Sequence, residues 1–217
     1  MENLSALIYT TLALGFGYTF FGADHYLPIV ALSKTNNWSN RKTLWVVIAC
    51  GIGHVASSLI LGLAGIGLSA GLTTIMDIQS KRGLLATWLL IIFGLGYFLW
   101  GLKNAKNEKT HGPHLPKTNR KGKPFNPMWG LLIIFVLGPC EPFIPLIIYP
   151  AATMNAMALV IVTLVFTVST ILTMIFATFL SLKGIELLKG KGSGIYSHAI
   201  AGLVLVGLGI AMLFFEF

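Results

Sequence analysis

The fold of this chain of 217 residues is limited by six apolar stretches, each of which is long enough to cross a lipid bilayer. About 20 consecutive apolar residues span the hydrocarbon core as a helix. Charged residues make up only 10% of the sequence, against about a quarter in soluble domains. The sequence therefore predicts an all-α membrane protein with six transmembrane helices. They cover residues 4–33, 43–71, 83–103, 127–150, 154–182 and 195–215.

The lysines and arginines orient these helices. If the N-terminus faces outside, thirteen of the fifteen lie in the loops after the first, third and fifth helices, and only Lys81 and Arg82 remain for the other side. Cytoplasmic loops of membrane proteins carry such an excess. We therefore expect a multi-pass protein of a bacterial-type cytoplasmic membrane with both termini outside. This topology accounts for the net charge of +8 and excludes nucleic acid as a partner.

The long basic loop at 104–126 divides the chain into two groups of three helices, residues 1–103 and 127–217. Because three is odd, two homologous halves would cross the membrane in opposite directions. Inverted repeats of this kind are common in secondary transporters. We predict two inverted three-helix halves joined by a cytoplasmic loop.

A short internal match supports the repeat. Residues 22–27 (GADHYL) in the first helix align with residues 138–143 (GPCEPF) in the fourth. A proline follows the first segment at Pro28, and the second contains several prolines. Proline removes a backbone donor and interrupts a helix, and the freed carbonyls line cavities rather than face lipid. We expect the first and fourth helices to be broken near the functional site. The aligned pairs are Asp24 with Cys140 and His25 with Glu141.

Ionisable and soft side chains concentrate at these breaks. A carboxylate in a bilayer costs several kcal/mol, so it normally faces protein, water or a ligand. On the second helix, Cys50 and His54 lie one turn apart and share a face. Carboxylate, imidazole and thiolate are ligands of transition metals. The predicted metal ligands are Asp24, His25, His54, Cys140 and Glu141.

The residues GADH at 22–25 and GHVASS at 53–58 resemble the nickel/cobalt transporter superfamily, which includes the hydrogenase/urease accessory permeases. The resemblance implies transport of nickel, cobalt or a similar divalent ion, with Asp24, His25 and His54 selecting the metal. No nucleotide-binding or hydrolase motif is present, so we expect no enzyme activity and no permanently bound cofactor. Transport would be secondary, proton-coupled and of the alternating-access type. The expected partners are the metal ion and the lipid bilayer, and self-association stays open.

The second half is similar to another family. GPC at 138–140, followed by prolines, resembles the helix of six-helix thiol–disulfide electron carriers of cytochrome c biogenesis. That resemblance implies an alternative function, electron transfer through Cys50 and Cys140. Those carriers place one cysteine at the equivalent position of each half, whereas Asp24 is the equivalent of Cys140 here. A third alternative is an accessory protein whose polar residues only join helices.

Overall fold

The computed structural model describes residues 2–68, 71–110, 127–138, 140, 142–153, 155–187 and 196–215. These residues form eight α-helices and one 3-10 turn, Ala23–His25, without a strand. The helices are α1 (Glu2–Phe21), α2 (Leu27–Thr35), α3 (Asn40–Gly67), α4 (Leu72–Thr110), α5 (Pro127–Leu137), α6 (Phe143–Ala152), α7 (Ala156–Leu187) and α8 (Ser197–Phe215).

Five of the helices are long and apolar enough to cross a membrane: Leu4–Phe21, Asn40–Gly67, Leu72–Ala105, Ala156–Glu186 and Ser197–Phe214. The predicted fourth span is divided between α5 and α6, which have 11 and 10 residues. Neither is long enough to span a bilayer alone. The chain is thus an all-helical, multi-pass membrane protein.

Both predicted helix breaks are confirmed. The first apolar stretch is interrupted between Phe21 and Leu27, and the fourth between Leu137 and Phe143. In the first break, Pro28 occupies the first turn of α2, where its missing N–H leaves no gap in the helix. The local sequence thus decides where each span stops and restarts.

The third helix differs from its prediction. It begins at Leu72 rather than at residue 83, so Asp77, Lys81 and Arg82 lie on α4 and not in a loop. Lys81 Nζ pairs with Asp77 Oδ2 at 2.8 Å, one helical turn apart, and such pairs support a helix. At its other end α4 continues to Thr110, which shortens the predicted loop. Residues 111–126 of that loop lie outside the described part of the chain.

The helices of the first half of the sequence pack against helices of the second half. The most extensive contacts join α4 to α8, α1 to α7 and α3 to α5. α4 and α8 approach closely at glycines, and small residues allow this in membrane helices. These close-contact glycines are Gly94 and Gly101 on α4 and Gly202 and Gly209 on α8.

Polar contacts anchor the end of α2, the helix that follows the first break. The Tyr97 hydroxyl on α4 accepts from Asn36 Nδ2 at 2.9 Å. The same hydroxyl lies 2.8 Å from His198 Nδ1 on α8. Lys34 Nζ pairs with Glu186 Oε1 on α7 at 2.8 Å. Three helices therefore hold the far end of α2 in place.

Candidate functional site at the crossing of two helix breaks

The first break holds a histidine in a fixed orientation. His25 is 2% exposed, and its Nδ1 lies 3.0 Å from Asp24 Oδ1 and 3.1 Å from the Gly22 carbonyl oxygen. Both partners accept hydrogen bonds, so Nδ1 carries the hydrogen and Nε2 is left with a lone pair when the ring is neutral. A β-carbon at position 22 would lie 2.6 Å from His25 Nδ1. Glycine at this position therefore makes room for the imidazole.

The second break supplies the partner of the other histidine. A helix leaves the carbonyls of its last turn without intrahelical partners. Moreover, residue 139 is proline, which cannot donate to the carbonyl of Phe135 four residues earlier. His54 Nδ1 on α3 lies 3.2 Å from that carbonyl oxygen and donates to it. The proline thereby creates the acceptor that orients His54.

The two imidazoles meet edge to face. The ring centroids of His25 and His54 are 5.1 Å apart, with an interplanar angle of 86°. Both rings are buried, and neither Nε2 atom has a hydrogen-bond partner among the described residues. Buried polar atoms are rarely left in this state. The two Nε2 atoms are therefore available to a proton, a cation or water.

A small cavity of about 30 Å³ adjoins the two histidines. A cavity of this size accepts a water molecule or a bare ion, but no organic substrate in this conformation. Its walls come from both breaks and from α3, α4, α5 and α8. The lining residues are Asp24, His25, Pro28, His54, Ala86, Leu90, Ile134, Phe135, Gly138 and Met212.

The charge of Arg82 predicts a position in a loop, but the residue lies on α4 beside the second break. Its Nη2 donates to the Val136 carbonyl oxygen in the last turn of α5 and to Ser57 Oγ, both at 2.9 Å. Its Nη1 donates to Gln79 Oε1 at 3.1 Å. The guanidinium also interacts electrostatically with Cys140. Because Arg82 directly precedes the predicted third apolar span, the sequence alone places it in a loop. In the structure α4 begins at Leu72, ten residues before Arg82.

The two cysteines are buried and not joined by a disulfide, and they lie in different apolar clusters. Cys50 packs with Val47, Leu90 and other residues of the cluster around α3, α4 and α5. Cys140 packs in a second cluster that includes Val55 and Phe143. The two cysteines therefore belong to different parts of the apolar core in this structure.

The structure thus brings together Asp24, His25 and His54 of the five predicted ligands. Cys140 is buried in the second break, between α5 and α6. Glu141 lies outside the described residues. Within the described part of the chain, no three side chains of the His, Cys, Asp or Glu type form a group suited to a metal ion. A shared five-ligand site remains a prediction.

A family model for the cytochrome c biogenesis protein transmembrane region matches residues 27–213. The chain belongs to this family. The resemblance noted in the second half therefore extends over both halves. No curated protein and no solved structure matches the chain. Membership of the nickel/cobalt superfamily is not shown by these comparisons.

Proposed function

We propose that this protein of the cytochrome c biogenesis transmembrane family is a six-span carrier built from two inverted halves, with both termini outside the cytoplasmic membrane. The helix contacts support the repeat. α1 packs on α7 as α5 packs on α3, and α3 and α4 each pack on their counterparts α7 and α8. An approximate two-fold axis exchanging residues 1–103 with 127–217 would produce this pattern. The divided fourth span, α5 with α6, then crosses the membrane once.

We propose that the carrier transfers reducing equivalents by thiol–disulfide exchange. Family membership over most of the chain is the observation that carries this proposal. Cys140 lies in the second break, and neither Cys50 nor Cys140 is in a disulfide in this structure. The thiolate of a cysteine is the nucleophile in disulfide exchange.

The exchange balances as two successive dithiol–disulfide reactions. A dithiol protein on one side of the membrane reduces a Cys50–Cys140 disulfide and becomes a disulfide itself. The two regenerated thiols of the carrier then reduce a disulfide protein on the other side and lose two electrons and two protons. Each step passes through a mixed disulfide formed by attack of a thiolate on sulfur. No bound cofactor takes part.

This reaction requires the second break to move. A disulfide needs Cα atoms about 4.4–6.8 Å apart, and in this structure Cys50 and Cys140 are not bonded to each other and pack in different apolar clusters. Cys140 lies between α5 and α6, outside both helices. Its displacement toward Cys50 would close the pair, and the return would open it.

The test is electron transfer across a sealed vesicle. Purified protein is reconstituted with an impermeant aromatic disulfide inside, and an impermeant phosphine reductant is added outside. We expect the coloured thiolate to appear inside with the wild-type chain. Cys140→Ser and Cys50→Ser should each abolish its release, because one thiol cannot form the internal disulfide.

The matched control is Met157→Leu, which changes a sulfur-bearing side chain that is 70% exposed on α7. It should transfer electrons at the wild-type rate. Transfer that persists in Cys140→Ser would eliminate the electron-carrier proposal.

A second candidate function is passage of a metal ion through the same site. The two unpartnered Nε2 atoms at a cavity within the membrane favour it, since imidazole is a common metal ligand. Vesicles loaded with a metal-sensitive dye should report metal entry through the wild-type chain and none through His54→Ala. Entry through Cys50→Ser with Cys140→Ser at the wild-type rate would separate this function from electron transfer. A chain inactive in both assays would be an accessory protein.

A further inference from the structure

The cavity between the two breaks has a third potential ligand besides its two histidines. Met212 on α8 lines the same space as His25 and His54. Its thioether is a soft, uncharged donor. The sequence alone presents Met212 as one more apolar residue of the last span. Only the packing of α8 beside the first break makes it part of the site.

The hydrogen bonds of the two histidines leave the same atom free in each ring. Nδ1 of His25 donates to Asp24 and Gly22, and Nδ1 of His54 donates to Phe135. Such contacts to the outer ring nitrogen fix the tautomer of a metal-binding histidine. Each Nε2 therefore presents a lone pair when its ring is neutral. The site offers two neutral nitrogen donors and one neutral sulfur donor.

The charges around the cavity favour a monovalent ion. Asp24 is the only carboxylate that lines the cavity within the described part of the chain, and it contacts His25 directly. One bound positive charge would be balanced by that carboxylate, whereas a divalent ion would leave an excess charge. An uncompensated charge in a membrane interior is costly.

Donor softness selects among monovalent ions. Sodium and potassium prefer oxygen ligands, whereas thioether sulfur selects Cu(I) and imidazole also suits copper. The cavity of about 30 Å³ admits a bare ion without a hydration shell. The described residues offer three donors, a number that suits an ion of low coordination number.

We propose that His25 Nε2, His54 Nε2 and the Met212 thioether bind Cu(I) as a transported substrate. The proposal deepens the second candidate function, metal passage, and is independent of thiol–disulfide exchange. The ion forms coordinate bonds without changing its oxidation state, so binding needs no oxidant or reductant. Asp24 orients His25 and neutralises the bound charge.

The test measures Cu(I) binding to the purified protein under anaerobic conditions, by competition with a coloured Cu(I) chelator. Because thiols also bind Cu(I), all variants carry Cys50→Ser and Cys140→Ser. We expect one Cu(I) per chain in this background, with nitrogen and sulfur ligands in the X-ray absorption spectrum. Ni(II) and Zn(II), added alone, should bind more weakly than Cu(I).

Three substitutions test the separate contributions. His54→Ala should abolish binding, and Met212→Leu should weaken it about 10–100-fold and remove the sulfur signal. Asp24→Asn keeps a hydrogen-bond acceptor but loses the charge, so it should also weaken binding about tenfold. Met157→Leu is the control, because that methionine is exposed on α7 away from the cavity.

No Cu(I) binding in the cysteine-free background would overturn the proposal, as would unchanged binding in Met212→Leu. Tighter binding of Ni(II) or Zn(II) would overturn the identity of the ion but not metal passage itself. Electron transfer through Cys50 and Cys140 is measured in a separate assay without copper. Failure of either proposal is therefore distinguishable from failure of the other.

Discussion

Replacing Gly202 with valine is expected to separate α4 from α8 and to destabilise the whole bundle. A β-carbon at this position would contact the backbone N of Phe98 and lie 2.6 Å from its Cα atom. It would also lie 2.8 Å from the Gly94 carbonyl oxygen. Backbone atoms cannot rotate away as a side chain can. We expect a loss at or above the upper end of about 1–3 kcal/mol, the usual cost of overpacking.

Gly207→Val provides the matched control on the same helix. A β-carbon there meets no atom within 4 Å, so the loss of stability should be small. The measurement is equilibrium unfolding of the purified protein in mixed micelles, together with the thermal midpoint. Equal stability of the two variants would show that α4 and α8 do not depend on close approach at Gly202. Because α8 carries Met212 and α4 carries Arg82, separating these two helices should also disturb the site.

The helix breaks were predictable because their causes are local. Pro28 and Pro139 lack a backbone N–H whatever the tertiary structure, and a glycine is the first residue of each break, Gly22 and Gly138. The meeting of Asp24, His25 and His54 also followed, because polar groups in a membrane must face one another or a cavity. These inferences needed no knowledge of how the helices pack.

Arg82 and Met212 could not be found in the same way. A hydropathy argument ends the third span at the charged pair of Lys81 and Arg82, whereas α4 begins at Leu72 and carries both. The helix tolerates them because Lys81 pairs with Asp77 and Arg82 reaches oxygen acceptors on three elements. Met212 is apolar, and its role depends on which helices border the cavity. Tertiary packing decides both cases.

Arg82→Met should release the end of α5 from α3 and α4. The guanidinium satisfies the Val136 carbonyl in the last turn of α5, where intrahelical donors are missing. Methionine has similar length but no donor, so this carbonyl and Ser57 Oγ would each lose the hydrogen bond from Arg82. A hydrogen bond to a charged group contributes about 1.5–3 kcal/mol. We expect a stability loss of that size in mixed-micelle unfolding, and Arg82→Lys should be intermediate.

Arg82→Met should also change the rate at which Cys140 is alkylated. Cys140 is 1% exposed, so its alkylation by a maleimide requires local opening. Without Arg82 we expect Cys140 to become accessible more often, so its alkylation in the Cys50→Ser background should accelerate. The acceleration should be about tenfold or more, because the expected loss of stability is above about 1.4 kcal/mol. Lys81→Met is the control, because its ion pair with Asp77 is exposed and contributes at most about 1 kcal/mol. If Arg82→Met and Lys81→Met react alike, Arg82 does not hold the break closed. Acceleration confined to Arg82→Met would identify this arginine as the contact through which α4 controls access to Cys140.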